Sequence, residues 1–381
     1  MKVAIIQPHP HPANLRRAKL FSDFLSEQNR VDIVNLFDTG QGKPSLRAAV
    51  RAIGALVKNR YDVFHFMGIT WTPPQLLRLL TRHRGVIIYD AGNVEIGVAR
   101  TLARSPVMIG IISGLETLFV GGADIVITRG VSFVDYFRTH YMHRLAPFYY
   151  VPDPVDFPAL SRDSTAIDTH PLRVAYVSTF VMIDVAGERL PRGWELIDSI
   201  ALQRRKNRVD VNVDFIGKGD GIEALRARAE EARVADLCTF SGFVPNEILW
   251  DRLRSATIGF MEDYDTLGYR YSVGSKVQEY MAVGLPVLTG RSPEKLHLLA
   301  DQQLPEVLFD PPVLEEPEQI QAYIRAVAGA LKYADQSRSA LRQAGRRNGI
   351  RAKLLFDKPV LRTLLNQVYL EAGRIKAHSQ S

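Results

Sequence analysis

Gly274-Ser-Lys-Val-Gln-Glu-Tyr-Met-Ala-Val-Gly-Leu-Pro-Val287 is the stretch on which the reading of this chain turns. A Gly-Ser turn leads into a short helix expected over residues 276–283. The helix stops at Gly284, and Pro286 opens an apolar strand over 286–289. Lys276 and Glu279 stand three residues apart, so they share one face of the first turn. Ser275, a lysine and the free backbone N–H groups of a helix start suit a diphosphate. A carboxylate one turn further on can accept two hydrogen bonds from a ribose diol. The same spacing also fits an ordinary i,i+3 ion pair, and spacing alone leaves both readings open.

Outward from this stretch, strands and helices alternate. In the second half, strands are expected over 174–177, 211–216, 239–240 and 257–261. Helices are expected over 194–203, 222–232 and 245–255, with a helical tail from about 316 to 377. The first half repeats the pattern. Strands are read over 3–7, 31–37, 61–66, 86–89 and 123–128. Helices are read over 14–26, with Asn14 as its cap, over 45–58 and over 74–83. Between the halves, Val151-Pro-Asp-Pro-Val-Asp156 is a rigid turn, and 161–170 is polar and aperiodic like a linker. Alternation of this kind implies two mostly parallel, doubly wound sheets, which take ligands at the carboxyl ends of their strands, in the cleft between domains.

The segment from Glu279 to Val287 resembles the Glu-Ala-Met-Ala-x-Gly-x-Pro-Val signature of GT-B-fold glycosyltransferases, in particular the large family 4 (group 1). Lys276 fits the variant in which Lys-x-x-Glu-Tyr-Met-Ala precedes the strand. Other landmarks fall in order. Tyr176-Val-Ser-Thr-Phe180 with Arg192-Gly193 resembles the first strand and basic helix start of the donor domain. Phe215-Ile-Gly-Lys-Gly-Asp220 resembles its second strand and glycine turn, and Phe240-Ser-Gly-Phe-Val-Pro245 the stretch that follows. The resemblance implies an α/β GT-B architecture of two Rossmann-like domains facing a cleft. Residues 1–165, completed by a returning helix at about 355–381, would form the acceptor side, and 170–350 the donor side. It further implies that Arg192 and Lys276 hold the donor diphosphate, with Gly217, Ser275 and Tyr271 beside it, and that Glu279 holds the ribose.

The chain departs from the family pattern in places. Tyr271 stands where a second glutamate is common, Thr179 replaces an arginine, and Met67 replaces a histidine. The glycine-rich first loop is replaced by His9-Pro-His11-Pro. A catalytic base is sought in Asp90, which ends a strand in Tyr89-Asp-Ala-Gly-Asn93, and in His11, on a loop that opens on the cleft. The alternatives are a turn-forming aspartate and a proline-stiffened surface loop. His65, inside an apolar strand, reads as a core residue. Gly217-Lys-Gly-Asp-Gly221 lacks the third spaced glycine of a dinucleotide fingerprint.

Composition narrows the function. The chain has 381 residues, 46% hydrophobic and 23% charged, which is globular rather than disordered. The formal charge of +7 favours anionic partners. A single cysteine, Cys238, rules out an internal disulfide. No cluster has metal-ligand spacing, so neither metal nor cofactor is expected, and the UDP- or GDP-linked donor is itself the substrate. The N-terminus shows no secretory signal pattern, and the apolar stretch 106–122 is too short to span a bilayer. Arg47, Arg51 and Lys58 line one face of the helix expected over 45–58, beside an apolar stripe of Leu46, Val50, Ile53 and Val57. The expected function is sugar transfer to a glycan or lipid-linked acceptor, metal-free and retaining. The expected setting is the cytoplasm, with the inner membrane surface as a candidate anionic partner and no nucleic acid. A silent sugar-nucleotide-binding scaffold and a nucleotide-sugar epimerase are the alternatives on the same fold.

Overall fold

The computed structural model describes residues 1–8, 12–38, 43–44, 46–70, 72–81, 85–101, 105–141, 146–155, 157, 171–205, 210–271 and 274–380. The chain divides into two units, Met1–Pro154 with Lys358–Ser381, and Val155–Asp357.

Unit 1 runs β1 (Lys2–Gln7), α1 (Pro12–Leu25), β2 (Arg30–Asn35), the short pair β3 (Phe37–Asp38) and β4 (Lys43–Pro44), and α2 (Leu46–Lys58). It continues through β5 (Val63–Met67), α3 (Pro74–Thr81), β6 (Val86–Ala91), α4 (Glu95–Thr101), α5 (Pro106–Gly122), β7 (Ile125–Thr128), α6 (Val131–His140) and β8 (Phe148–Tyr150). Its sheet has the order β2-β1-β5-β6-β7-β8, and all pairs are parallel. The central strands are continuous apolar runs because helices cover both faces, so no residue can alternate out to water.

Unit 2 runs β9 (Leu172–Thr179), β10 (Met182–Val185), β11 (Glu188–Pro191), α7 (Trp194–Arg205), β12 (Val211–Lys218), α8 (Ile222–Glu231), β13 (Cys238–Gly242), α9 (Asn246–Ser255) and β14 (Ile258–Met261). Then come α10 (Leu267–Arg270), α11 (Ser275–Ala282), β15 (Val287–Gly290), α12 (Pro293–Leu298), β16 (Leu308–Phe309), α13 (Pro317–Gln336) and α14 (Arg338–Phe356). The order β13-β12-β9-β14-β15-β16 reverses between β9 and β14. That reversal is the switch point where parallel sheets leave a crevice at their carboxyl ends. The last helix, α15 (Lys358–Gln380), belongs to unit 1. It places Leu361, Leu365, Val368, Tyr369 and Ala372 in the same buried cluster as Val3, Ile5, Val63 and Ile88.

Several elements differ from the sequence expectation. The hairpin β10–β11 interrupts the path from β9 to α7 and was not anticipated. Its turn residues Ala186 and Gly187 both have positive φ, +50° and +81°, the pattern of a two-residue type I′ turn. β8 was also missed, being only three residues long. Asn14 lies inside α1 rather than at its cap, and its side chain accepts from Arg129 at 2.7 Å. On α2 the inward positions are Ala52 and Leu56, whereas Val50 is 60% exposed. The apolar arc of this helix is wider than the face it buries, so Val50 and Val57 fall at its exposed edge, next to the basic face. The expected linker at 161–170 lies outside the described residues.

Candidate active site

The carboxyl ends of β9 and β14 meet at the switch point of unit 2, and the residues that follow them interlock. Arg192 sits at the start of α7, and its Nε lies 3.3 Å from Glu262 Oε1. Glu262 directly follows β14. It also accepts from Tyr176 at 2.7 Å and from Tyr269 at 3.1 Å. Behind it Glu195 accepts from Tyr264 at 3.1 Å. Burial, helped by the nearby Glu262 carboxylate, pushes the Glu195 carboxyl up to about 8. Burial counts against the charge of Arg192, but the surrounding tyrosines and Glu262 outweigh it and raise its pKa. Next along, the fully buried Lys295 and Asp263 pair at 2.8 Å. Gly290 has to be glycine there, because a Cβ would lie 2.3 Å from Asp263.

The segment from 274 onward forms α11, whose amino end lies at this same carboxyl edge because the helix leads back into β15. Gly274 precedes it in the left-handed region (φ +59°), a conformation that suits glycine. Lys276 Nζ meets Glu279 Oε2 at 3.1 Å, and both side chains keep some exposure, 31% and 15%. The ion pair and a solvent-reachable binding pair are therefore the same arrangement. Ser275 is exposed at the first helical position. Tyr271 caps the end of α10. Tyr280 does not face the site. Its hydroxyl accepts from the Val177 N–H at 2.9 Å and donates to the Phe260 carbonyl at 3.1 Å, which ties α11 to β9 and β14. Gly217 has a packing reason of its own, since a Cβ on it would lie 1.9 Å from the Ser178 carbonyl oxygen.

Residues 194–348 match the family model described as glycosyl transferases group 1. The matched stretch lies wholly within unit 2. The chain's fold is GT-B. A sucrose-phosphate synthase from Thermosynechococcus elongatus superposes with a TM-score of 0.71 at 14% identity, over 98% of this chain and 100% of that one. The Anabaena Alr3699/HepE structure in complex with UDP gives 0.62 at 12%, over 97% and 100%. WaaG, a glycosyltransferase involved in lipopolysaccharide biosynthesis, gives 0.62 at 14%, over 96% and 98%. No curated protein sequence matches the chain significantly.

In unit 1, Asp90 ends β6 as expected but is not available as a base. It is fully buried, with Oδ2 2.7 Å from Arg17 Nε and Oδ1 3.3 Å from Arg17 Nη2. Burial alone would raise its pKa. The Arg17 guanidinium, His65 and Arg129 together hold it well below the usual carboxylate range. A carboxylate so tightly paired has little affinity for an acceptor proton. The same arginine donates to the carbonyls of Pro152 at 2.6 Å and Val151 at 2.8 Å. Arg129 Nη1 lies 3.4 Å from Asp153, and the His65 Nδ1 atom pairs with the Tyr369 hydroxyl of α15 at 2.9 Å. Asp90 is thus the hub of a polar knot joining α1, β5, β6, the 151–153 turn and α15. His11 lies outside the described residues.

Sequence reasoning missed Arg17, Glu262, Glu195 and the Lys295–Asp263 pair. The available signal was Met261-Glu-Asp-Tyr264, two acidic residues set directly after an apolar strand. Among the described residues no group of three or more His, Cys, Asp or Glu side chains could hold a metal ion.

Proposed function

We propose that the enzyme transfers a hexose-type sugar from a UDP- or GDP-linked donor to a hydroxyl of a glycan or lipid-linked acceptor, with retention and without a metal. The observation that carries this reading is the partly exposed Lys276–Glu279 pair on the first turn of α11, within the group 1 match. Lys276 and the N–H groups at the start of α11 take the diphosphate. Glu279 turns from its lysine to the ribose hydroxyls. Arg192, 18% exposed and held by Glu262, adds positive potential beneath the phosphates. Fixed cations stabilise the charge that builds on the departing nucleoside diphosphate, which lowers the barrier without a metal. Retention is supported by the resemblance to family 4. The UDP bound by HepE supports UDP as the first nucleotide to try. The setting we favour is the cytoplasm, where nucleotide sugars are available.

Calorimetric titration with UDP and with GDP, free of metal, tests the donor site. Lys276→Ala and Glu279→Ala are each expected to weaken the preferred nucleotide by about tenfold or more, the size of a lost charge-assisted hydrogen bond. Binding of neither nucleotide, or binding indifferent to both substitutions, removes the donor assignment.

A further inference from the structure

α5 is apolar along its first half, Pro106-Val-Met-Ile-Gly-Ile-Ile112, yet that half is not buried. Val107 is 73% exposed, and Met108 and Ile111 are exposed as well. A helix that is hydrophobic all round belongs in a core, so an exposed one calls for a partner. α3 lies beside both α2 and α5 on one face of the unit 1 sheet. It adds Leu79, 75% exposed, with Leu76 and Leu80. On α2, Val50 and Val57 are exposed next to Arg47, Arg51 and Lys58. Neither α2 nor α3 carries an acidic residue. The one acid of α5, Glu116, is fully buried, where it accepts from Tyr136 and Tyr141.

We infer that the α2–α3–α5 face of unit 1 rests on an anionic lipid bilayer. The occupant follows from the charge pattern. Apolar side chains project from a surface whose exposed charges on α2 are all positive, which matches the boundary between acyl chains and anionic headgroups. A protein partner with an apolar patch would not require the bordering cations. No helix among the described residues is long and apolar enough to cross a membrane, so this contact is lateral. α5 begins on the carboxyl-end side of the sheet, because it leads from β6 back to the start of β7. Its exposed half therefore brings the bilayer to the edge where the unit takes ligands. The inference builds on the lipid-linked reading of the acceptor and gives that acceptor its place.

Flotation of the full chain with neutral phosphatidylcholine vesicles, and with vesicles holding about 30% phosphatidylglycerol, tests the inference. Binding to the anionic vesicles is expected to exceed binding to the neutral ones by about tenfold and to weaken in high salt. Val107→Asp with Ile111→Asp should lower anionic binding by about tenfold or more, and Arg47→Glu with Arg51→Glu should remove the preference for anionic lipid. Equal, weak binding to both vesicles overturns the inference. So does anionic binding untouched by the α5 substitutions, or a concentration-dependent dimer that these substitutions abolish. Thermal melting and nucleotide titration of the same variants establish that they fold. Vesicle binding without nucleotide binding in the parent protein would sink the donor-site reading and leave this one standing.

Discussion

Asp90 and Glu195 are both buried carboxyls, and their surroundings drive them in opposite directions. Asp90 has Arg17 against it, so Asp90→Asn leaves the enclosed guanidinium with Asp153, at 3.4 Å, in place of its close anion. The expected loss is about 3–5 kcal/mol, read by thermal or denaturant melting. An Asn variant of unchanged stability that has lost turnover would restore Asp90 as a base. Its depressed pKa makes its contribution to stability fully present above the unfolded value of about 3.9 and lost as pH falls below it. Glu195 behaves in reverse. Its carboxyl stays neutral in the fold up to about 8, whereas in the unfolded chain it ionises above roughly 4.3. Between those values, rising pH favours the unfolded chain. Glu195→Gln, which resembles the neutral form, should therefore raise the melting temperature at pH 8 and leave it nearly unchanged at pH 4. An equal shift at both pH values would show that Glu195 is ionised in the fold.

α11 depends on contacts that hold its amino end at the sheet edge. Where the helix stops, Gly284 meets Gly345 of α14 so closely that a Cβ on Gly345 would lie 2.2 Å from the Gly284 carbonyl oxygen. Gly345→Ala has only backbone to push against. It is expected to cost about 1–3 kcal/mol and to weaken nucleotide binding, as melting and titration of the same variant would show. Wild-type stability in that variant would mean that α14 can slide. The helix, its stop and its following strand are legible in residues 274–287, because local turn chemistry specifies them. The grip on α11 is not legible there, since Gly345 and the Val177 N–H are far away in sequence. The same division runs through unit 1. Asp90 at a strand end can be read from its neighbours, but Arg17, some seventy positions earlier, decides what Asp90 can do. α2 shows the other limit, a helix whose basic face is legible but whose apolar arc is wider than the side it buries, so that only packing selects Ala52 and Leu56 within that arc.

At the scale of the molecule, the two-sheet architecture is readable from alternation alone, because parallel strands with covering helices impose their period everywhere. The membership of α15 does not follow from alternation; the family resemblance alone implies a helix at about 355–381 that returns to the first domain, and α15 does so. It completes unit 1 with Leu361, Leu365, Val368 and Tyr369. Removing residues 358–381 would expose that apolar floor and release the His65–Tyr369 bond. The truncated chain is expected to show early proteolysis of unit 1 and to bind a dye for exposed apolar surface, while the unit 2 segment 155–357 resists digestion. Equal protection of both units in the truncated chain would show that α15 is dispensable.

The return of α15 also sets a schedule for the newborn chain. On the ribosome, the strands of unit 1 emerge first, but the helix that seals them is translated only after the whole of unit 2. Domains that emerge complete can fold at once, so the later-made unit can finish before the earlier one. During that interval Val3, Ile5, Val63 and Ile88 lack one wall of their enclosure. The uncovered face is a natural station for a chaperone during translation.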